Sequence, residues 1–427
     1  VSDPIRPDIL YLVHRVPFPP DKGDRIRTFH LLRFLARSAN VHLACLADEP
    51  IDERVMPALR KHTQRVAIVP LRHWSRRLRA LGSLIRGGTA SEGAFSAPGL
   101  LRVVRHWAGE TRFHAVLASA SSLVPYLRVP ELDGVPAVVD LIDVDSQKWL
   151  DYANAGRGPR SWFYRLEGHR LRRLEQELPA WARAVTLVSD AEVRLYRRFC
   201  TGGQVRAINI GIDLDYYQPQ PTTNEPTCAF VGALDYRPNV DGARWFCHEV
   251  WPEVRRHRPD AKLALVGRNP SPAVCRLAAI PGVELVGQVP DVRPYLSRAA
   301  VSVVPLQIAR GVQTKVLEAL AMARAVVVSP EALEGIAARP GAHLLAASTA
   351  SEWVESVLRL FADHSLRERL GVAGRHFVEE NHRWERCLEP IGPLLGLGSD
   401  AAQVALEVSR QVELQASIPF TATGVSG

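Results

Sequence analysis

The feature that most constrains this chain is a series of short apolar runs, each followed by a stretch long enough to hold a helix. Ile9-Leu10-Tyr11-Leu12-Val13 opens the series, and Val41 to Leu46, Val66 to Val69, Ala115 to Leu117, Ala137 to Ile142 and Ala184 to Val188 continue it. Runs that are apolar at nearly every position read as strands buried on both faces, and the crossover-length spacing calls for parallel pairing with covering helices. The pattern then restarts with Cys228 to Val231, Leu263 to Val266, Val283 to Val286, Val301 to Val304 and Ala325 to Val328. Two Rossmann-like, doubly wound α/β domains in tandem are therefore predicted. Open parallel sheets bind ligands beyond the carboxyl ends of their strands, so two such domains facing each other enclose a central cleft.

A length of 427 residues suits two domains. Gln218 to Pro226, polar and carrying Pro219, Pro221 and Pro226, has the composition of a linker. The boundary is drawn near residue 220, giving one domain over 1–219, a second over 220–385 and a C-terminal segment over 386–427. That last segment ends in small polar residues and is expected to be a flexible tail. The formal charge of +8 is carried mostly by arginine and accompanies no recognised reader motif, so nucleic acid is not expected as a partner. Six cysteines lack the paired spacing of a zinc or redox site, and no apolar run approaches the roughly 20 residues of a spanning helix. With no signal pattern at the start, a cytoplasmic location is expected.

Three segments could carry chemistry. In the loop after the first strand, His14 to Arg25, Gly23 near a helix start leaves backbone N–H groups free to face an anion, beside Lys22 and Arg25. A stiff surface loop would look alike. The loop has neither the Walker ending nor the Gly-x-Gly-x-x-Gly of a dinucleotide-dependent oxidoreductase. The second segment, Asp140-Leu141-Ile142-Asp143-Val144-Asp145-Ser146, ends a strand with three carboxylates, which suit sugar hydroxyls or the capping of the next helix. The third runs from Ala309 to Ala323 and places Arg310, Gly311, Lys315 and Glu318 at a loop-to-helix junction. Cations with helix-start amides suit a diphosphate and a carboxylate suits paired ribose hydroxyls, although a solvated ion pair has the same local look.

Taken together and in order, these segments resemble glycosyltransferase family 4, and more closely the sugar transferases associated with exosortase (PEP-CTERM) exopolysaccharide systems. The resemblance also rests on Phe230-Val231-Gly232-Ala233-Leu234-Asp235-Tyr236-Arg237-Pro238-Asn239, on Val266-Gly267-Arg268-Asn269-Pro270, on Val286-Gly287-Gln288-Val289-Pro290, and on Ile210-Gly211-Ile212-Asp213. It spans the chain to about residue 385 and implies the GT-B fold, with the donor on the second domain, the acceptor on the first, and a final helix near Trp384 crossing back. Glu318 matches the second glutamate of the Glu-x7-Glu motif, which implies that it holds the ribose. Arg310 stands where the first glutamate belongs. Gly23, Lys315 and Gly311 fall where the donor phosphates are approached, Gly287 and Val289 where the nucleobase is lined, and Gly232, Gly267 and Arg268 in the donor-side loops. Ala233 replaces the usual phosphate-site arginine, leaving Arg237 as a substitute.

What the resemblance implies is a retaining transfer from a nucleotide sugar to a glycan or lipid-linked acceptor, with no obligatory metal. Lys315 and Arg310 would face the leaving diphosphate, and Asp140 or Asp143 would orient sugar or acceptor; the histidine common in this region of the family is absent between Asp140 and Asp151. The competing readings are a non-catalytic sugar-nucleotide or glycan-binding subunit and a nucleotide-sugar epimerase on the same architecture. Arg72 to Arg86 mixes arginines with Trp74, Leu78, Leu81 and Ile85 at helical spacing, a pattern suited to peripheral contact with an anionic membrane surface or to an ordinary surface helix.

Overall fold

The computed structural model describes residues 6–21, 23–71, 73–221 and 225–398, without the side chains of His73 and Trp74. Lys22, Arg72, the centre of the linker and the expected tail beyond 398 lie outside the described residues. A first parallel sheet is built from β1 (Asp8–Val13), β2 (Asn40–Ala47), β3 (Arg65–Pro70), β4 (Ala115–Ser119), β5 (Ala137–Ile142), β6 (Ala184–Leu187) and β7 (Val205–Ala207), in the order β3-β2-β1-β4-β5-β6-β7. A second is built from β8 (Thr227–Val231), β9 (Lys262–Val266), β10 (Val283–Gly287), β11 (Val301–Val304), β12 (Ala325–Val328) and β13 (Leu345–Ala346), in the order β10-β9-β8-β11-β12-β13. Every apolar run singled out above falls in a strand, with Val188 one residue past the end of β6. The edge strands β7 and β13 escaped the sequence because they have three and two residues, too few to show a period.

Alternation along each strand explains why both faces are covered. In β1, Ile9, Tyr11 and Val13 enter one apolar cluster and Leu10 and Leu12 another, so helices must pack on each side. The cluster holding Ile9 continues through Ile208 to Leu214 into Val231, Val266, Val304 and Val328 of the second sheet, so one core joins the two domains.

The chain also returns to its first domain. The backbone N–H of Ile212 donates to His382 O at 2.8 Å, and the helix Trp384–Leu388 packs on the helix Gly23–Leu35. There the Trp384 indole stacks on His30, centroids 4.2 Å apart and planes within 5°, and Arg37 pairs with Glu385 at 2.8 Å. Gly211 makes this crossing possible, because a Cβ at that position would lie 2.5 Å from the Trp384 ring. Among the described residues no helix is long and apolar enough to cross a membrane.

Candidate functional site

In each sheet the strand order reverses once, between β1 and β4 and between β8 and β11. Loops that leave neighbouring strands in opposite directions open a crevice at such a point. The loops after β1, β4 and β5 and those after β9 and β11 contribute to one cleft of about 990 Å³ between the domains. Its walls carry Arg15, Arg27, Arg76, Arg77, Lys148, Arg268, Arg310 and Lys315 against Asp24, Asp143 and Asp145. This excess of cations suits an anionic ligand. Two helices begin at its wall: Gly23–Leu35, with Gly23 in the lining, and Thr314–Ala321, whose N-cap residue Gln313 makes no side-chain cap and leaves amides available.

On the second-domain side, Lys315 Nζ donates to Asn239 Oδ1 at 2.5 Å and lies 5.7 Å from the Phe230 ring centroid. Burial pulls its pKa down to about 8, with Glu318 opposing the fall. Glu318 itself is pushed up by burial while Lys315 and a hydrogen bond from the Tyr217 hydroxyl hold it back. Glu318 is absent from the lining of the cleft. Tyr217 gave no local signal, since it follows the interdomain turn and meets Glu318 only through the fold. Gly232 and Gly267 end β8 and β9 back to back: a Cβ on Gly267 would overlap the Gly232 carbonyl oxygen, and one on Gly232 would come within 3.3 Å of Lys315 Nζ. Gly287 closes β10 with φ +76°, and Val289 packs against the shared core. Arg268 lines the cleft, whereas Arg237 does not. The Arg237 side chain is 58% exposed and turned to Asp241 at 3.4 Å, so of the two arginines the sequence offered to a donor only Arg268 faces the cleft.

Arg310 crosses to the first domain. Its Nε and Nη2 contact Asp151 Oδ2 at 2.8 and 2.5 Å. The next residue, Gly311, has φ +63°, and a Cβ there would strike Asp143 Oδ1. Glu192 accepts from Val144 N at 2.7 Å and from the Gly311 N–H, so Asp151 and Glu192 of the first domain hold the loop at Arg310 and Gly311. Asp151 and Glu192 were missed because their second-domain partners, Arg310 and Gly311, lie more than a hundred residues away.

The two aspartates proposed from sequence separate sharply. Asp140 is fully buried; Arg27 Nε and Nη2 donate to its two oxygens at 2.9 and 2.8 Å, and Thr186 Oγ1 donates at 2.8 Å. It is absent from the cleft wall and holds the first helix to the sheet, which corrects the expectation that it could meet sugar. Asp143 does line the cleft. Burial lifts its pKa to about 7, Glu192 adding to the rise and Lys148 opposing it. Nearby, Asp24 is held well below the ordinary carboxylate range, against its burial, by His14 at 3.4 Å and Arg15 at 2.9 Å. His14, on the loop after β1, is the histidine this side of the cleft presents, and its Nδ1 lies 3.2 Å from Ser119 O.

Two doubly wound parallel domains closing on a cationic cleft at their switch points constitute the GT-B fold. Residues 225–363 match a family model described as "Glycosyl transferases group 1". The match and the fold together support a GT-B glycosyltransferase. Sucrose-phosphate synthase from Thermosynechococcus elongatus superposes with a TM-score of 0.67 at 18% identity, covering 96% of this chain and 100% of that one. HepE from Anabaena gives 0.66 at 14% identity, covering 91% and 99%, and TarM gives 0.66 at 10%, covering 91% and 98%. No curated protein sequence matches the chain.

Proposed function

We propose that this protein is a retaining glycosyltransferase that moves a sugar from a nucleotide-diphosphate donor to a glycan or lipid-linked acceptor in exopolysaccharide biosynthesis. The observation that carries the reading is the convergence of Lys315, Arg268 and Arg310 with the uncapped start of the helix Thr314–Ala321 in one cleft. That is diphosphate chemistry, and in the motif resemblance Glu318, three residues from Lys315 but outside the lining of this cleft, is the carboxylate for paired ribose hydroxyls. HepE was solved with UDP and with UDP-glucose, and TarM of S. aureus with UDP and α-GlcNAc-glycerol, which favours a nucleotide sugar and a hydroxylated acceptor here. The exopolysaccharide role rests on the motif resemblance.

In this reading the bond between the sugar anomeric carbon and the diphosphate oxygen breaks, and the electron pair leaves with the diphosphate. Lys315, Arg268 and Arg310 stabilise that charge as it develops, so no metal is obligatory. The acceptor oxygen bonds the same carbon from the face just vacated, and its proton passes to the departing phosphate oxygen. Asp143, whose pKa near 7 leaves it able to donate or accept, orients hydroxyls of sugar or acceptor. The test is a thermal-shift panel of UDP, GDP and other nucleotide sugars followed by transfer assays. Lys315→Ala and Glu318→Ala should each weaken nucleotide binding about tenfold or more; unchanged binding and transfer in both would overturn the site.

Peripheral attachment at the inner face of the cell membrane belongs to the same proposal. The helix His73–Ile85 is amphipathic in the unusual sense: Leu78, Leu81 and Ile85 are 64, 55 and 77% exposed, while Ala80 and Ser83 pack on Gly93 of the next helix. The helix carries arginines and no acidic residue, and Arg76, Arg77 and Ala80 face the cleft. An apolar ridge among arginines fits an anionic bilayer that presents a lipid-linked acceptor. Flotation with vesicles containing phosphatidylglycerol should be lost in Leu78→Glu/Leu81→Glu, and equal flotation on neutral vesicles would count against it.

A further inference from the structure

The cleft wall of the first domain contains a group of rings that no core accounts for. The helices Asp145–Asn154 and Pro159–Trp181 form a hairpin that leaves the carboxyl end of β5, the side of the sheet where ligands bind. Trp149 lines the cleft from this hairpin. Its ring lies 5.3 Å from Tyr164, and Tyr152 and Phe163 stand nearly perpendicular to it at 6.4 and 6.3 Å. Tyr236, 47% exposed on the second domain and also in the cleft wall, shares a hydrogen bond between its hydroxyl and that of Tyr152.

Among the described residues, the four hairpin rings belong to none of the three apolar clusters that hold the sheets and helices together. Half-buried rings outside a core forgo the stabilisation that aromatic burial ordinarily brings, which marks them as a surface kept for contact. Beside Trp149, Asp145 accepts from Ser121 Oγ at 2.8 Å and faces Lys148 at 3.7 Å. A flat apolar ring bordered by carboxylate, hydroxyl and ammonium groups matches a pyranose, which has an apolar C–H face and a rim of hydroxyls.

We infer that Trp149, braced by Tyr152, Phe163 and Tyr164, is a stacking platform for a pyranose ring of a saccharide acceptor in the first-domain half of the cleft. The inference rests on the transferase reading and names what that reading leaves open, an acceptor that already carries sugar. The hydrogen bond between Tyr236 and Tyr152 ties the platform to the second domain, so acceptor and donor are presented to the same gap.

The test uses the full chain on an array of α- and β-linked hexose and N-acetylhexosamine oligosaccharides. Wild type should retain at least one oligosaccharide series. Trp149→Leu, which keeps apolar bulk and so the fold, should lose about tenfold in affinity for it, and Trp149→Phe should keep most of the affinity. Trp162→Ala, at a 68% exposed ring on the same hairpin, is the control and should bind as wild type does. No retention by wild type on any saccharide, or equal retention by Trp149→Leu, overturns the platform. Thermal shift with UDP and GDP runs alongside. A nucleotide shift without glycan retention rejects the platform alone, whereas no nucleotide shift in wild type rejects the transferase reading itself.

Discussion

Asp140 and Asp143 stand three residues apart in one acidic segment, yet burial gives them opposite work. Asp140 points into the sheet-to-helix interface and is closed off by Arg27 and Thr186. Removing one partner of a buried, bidentate pair leaves the other charge stranded, so Asp140→Ala should cost about 3–5 kcal/mol in urea unfolding. A loss within about 1 kcal/mol, the range of an exposed pair, would show that the pair is not structural. Asp143 has a raised pKa and the reverse sign. Its unfolded form ionises near 3.8 while the folded form keeps its proton to about 7, so stability falls as pH rises through that window. Asp143→Asn should therefore match wild type below about pH 4 and exceed it above pH 7, by roughly 1–3 kcal/mol once partial exposure is allowed for. Parallel stability curves for the two proteins from pH 4 to 8 would remove the basis for this reading.

Among elements, the crossing helix Trp384–Leu388 depends on one glycine and one histidine. Any side chain at 211 meets the Trp384 ring and backbone, so Gly211→Ala should destabilise by about 1–3 kcal/mol through overpacking. Differential scanning calorimetry would register this as a lower Tm. His30, stacked on that indole, is pushed down to about 4 by burial and then by Arg33. A histidine with a depressed folded pKa resists protonation, so its contribution is intact above the unfolded value of 6.5 and is lost as pH falls towards 4. Hydrogen exchange should accordingly rise first in residues 384–395 and in the facing helix Gly23–Leu35 on acidification, and His30→Phe should abolish that selective change.

For the whole molecule, the decisive arrangement is that both switch points open into one gap. Eight cationic side chains stand against three carboxylates in its wall, and with Arg27 paired to Asp140 and Arg310 to Asp151 the remaining six still outnumber them. Affinity for a nucleoside diphosphate should thus fall several-fold between roughly 0.05 and 0.5 M salt, as screening shortens the reach of those charges. Isothermal titration at the two salt concentrations checks this, and a salt-independent affinity would mean that the cations do not bind the phosphates. Arg310 and Asp151 add a contact between domains at a position where the family pattern has a glutamate. Being about a quarter exposed on each side, that pair is worth little in stability. Asp151→Ala should leave Tm nearly unchanged while altering nucleotide affinity, because it frees the Arg310 guanidinium.

The strand series, the two tandem parallel sheets and the loop-to-helix junction that carries Lys315 and Glu318 were readable from the chain itself. Parallel strands buried on both faces must be apolar at nearly every position, and a phosphate-facing helix start must carry its cation and glycine close together in sequence. These are local requirements and leave local traces. The surroundings of Asp140, Arg237, Arg310 and Trp149 were not readable, because each depends on what lies opposite after folding: Arg27 for the first, solvent for the second, Asp151 of the other domain for the third and the hairpin rings for the last. Burial and distance between remote segments set a side chain's ionisation and its partners. Sequence determined which residue types were available to the cleft; the packing of one domain against the other decided which of them reach it.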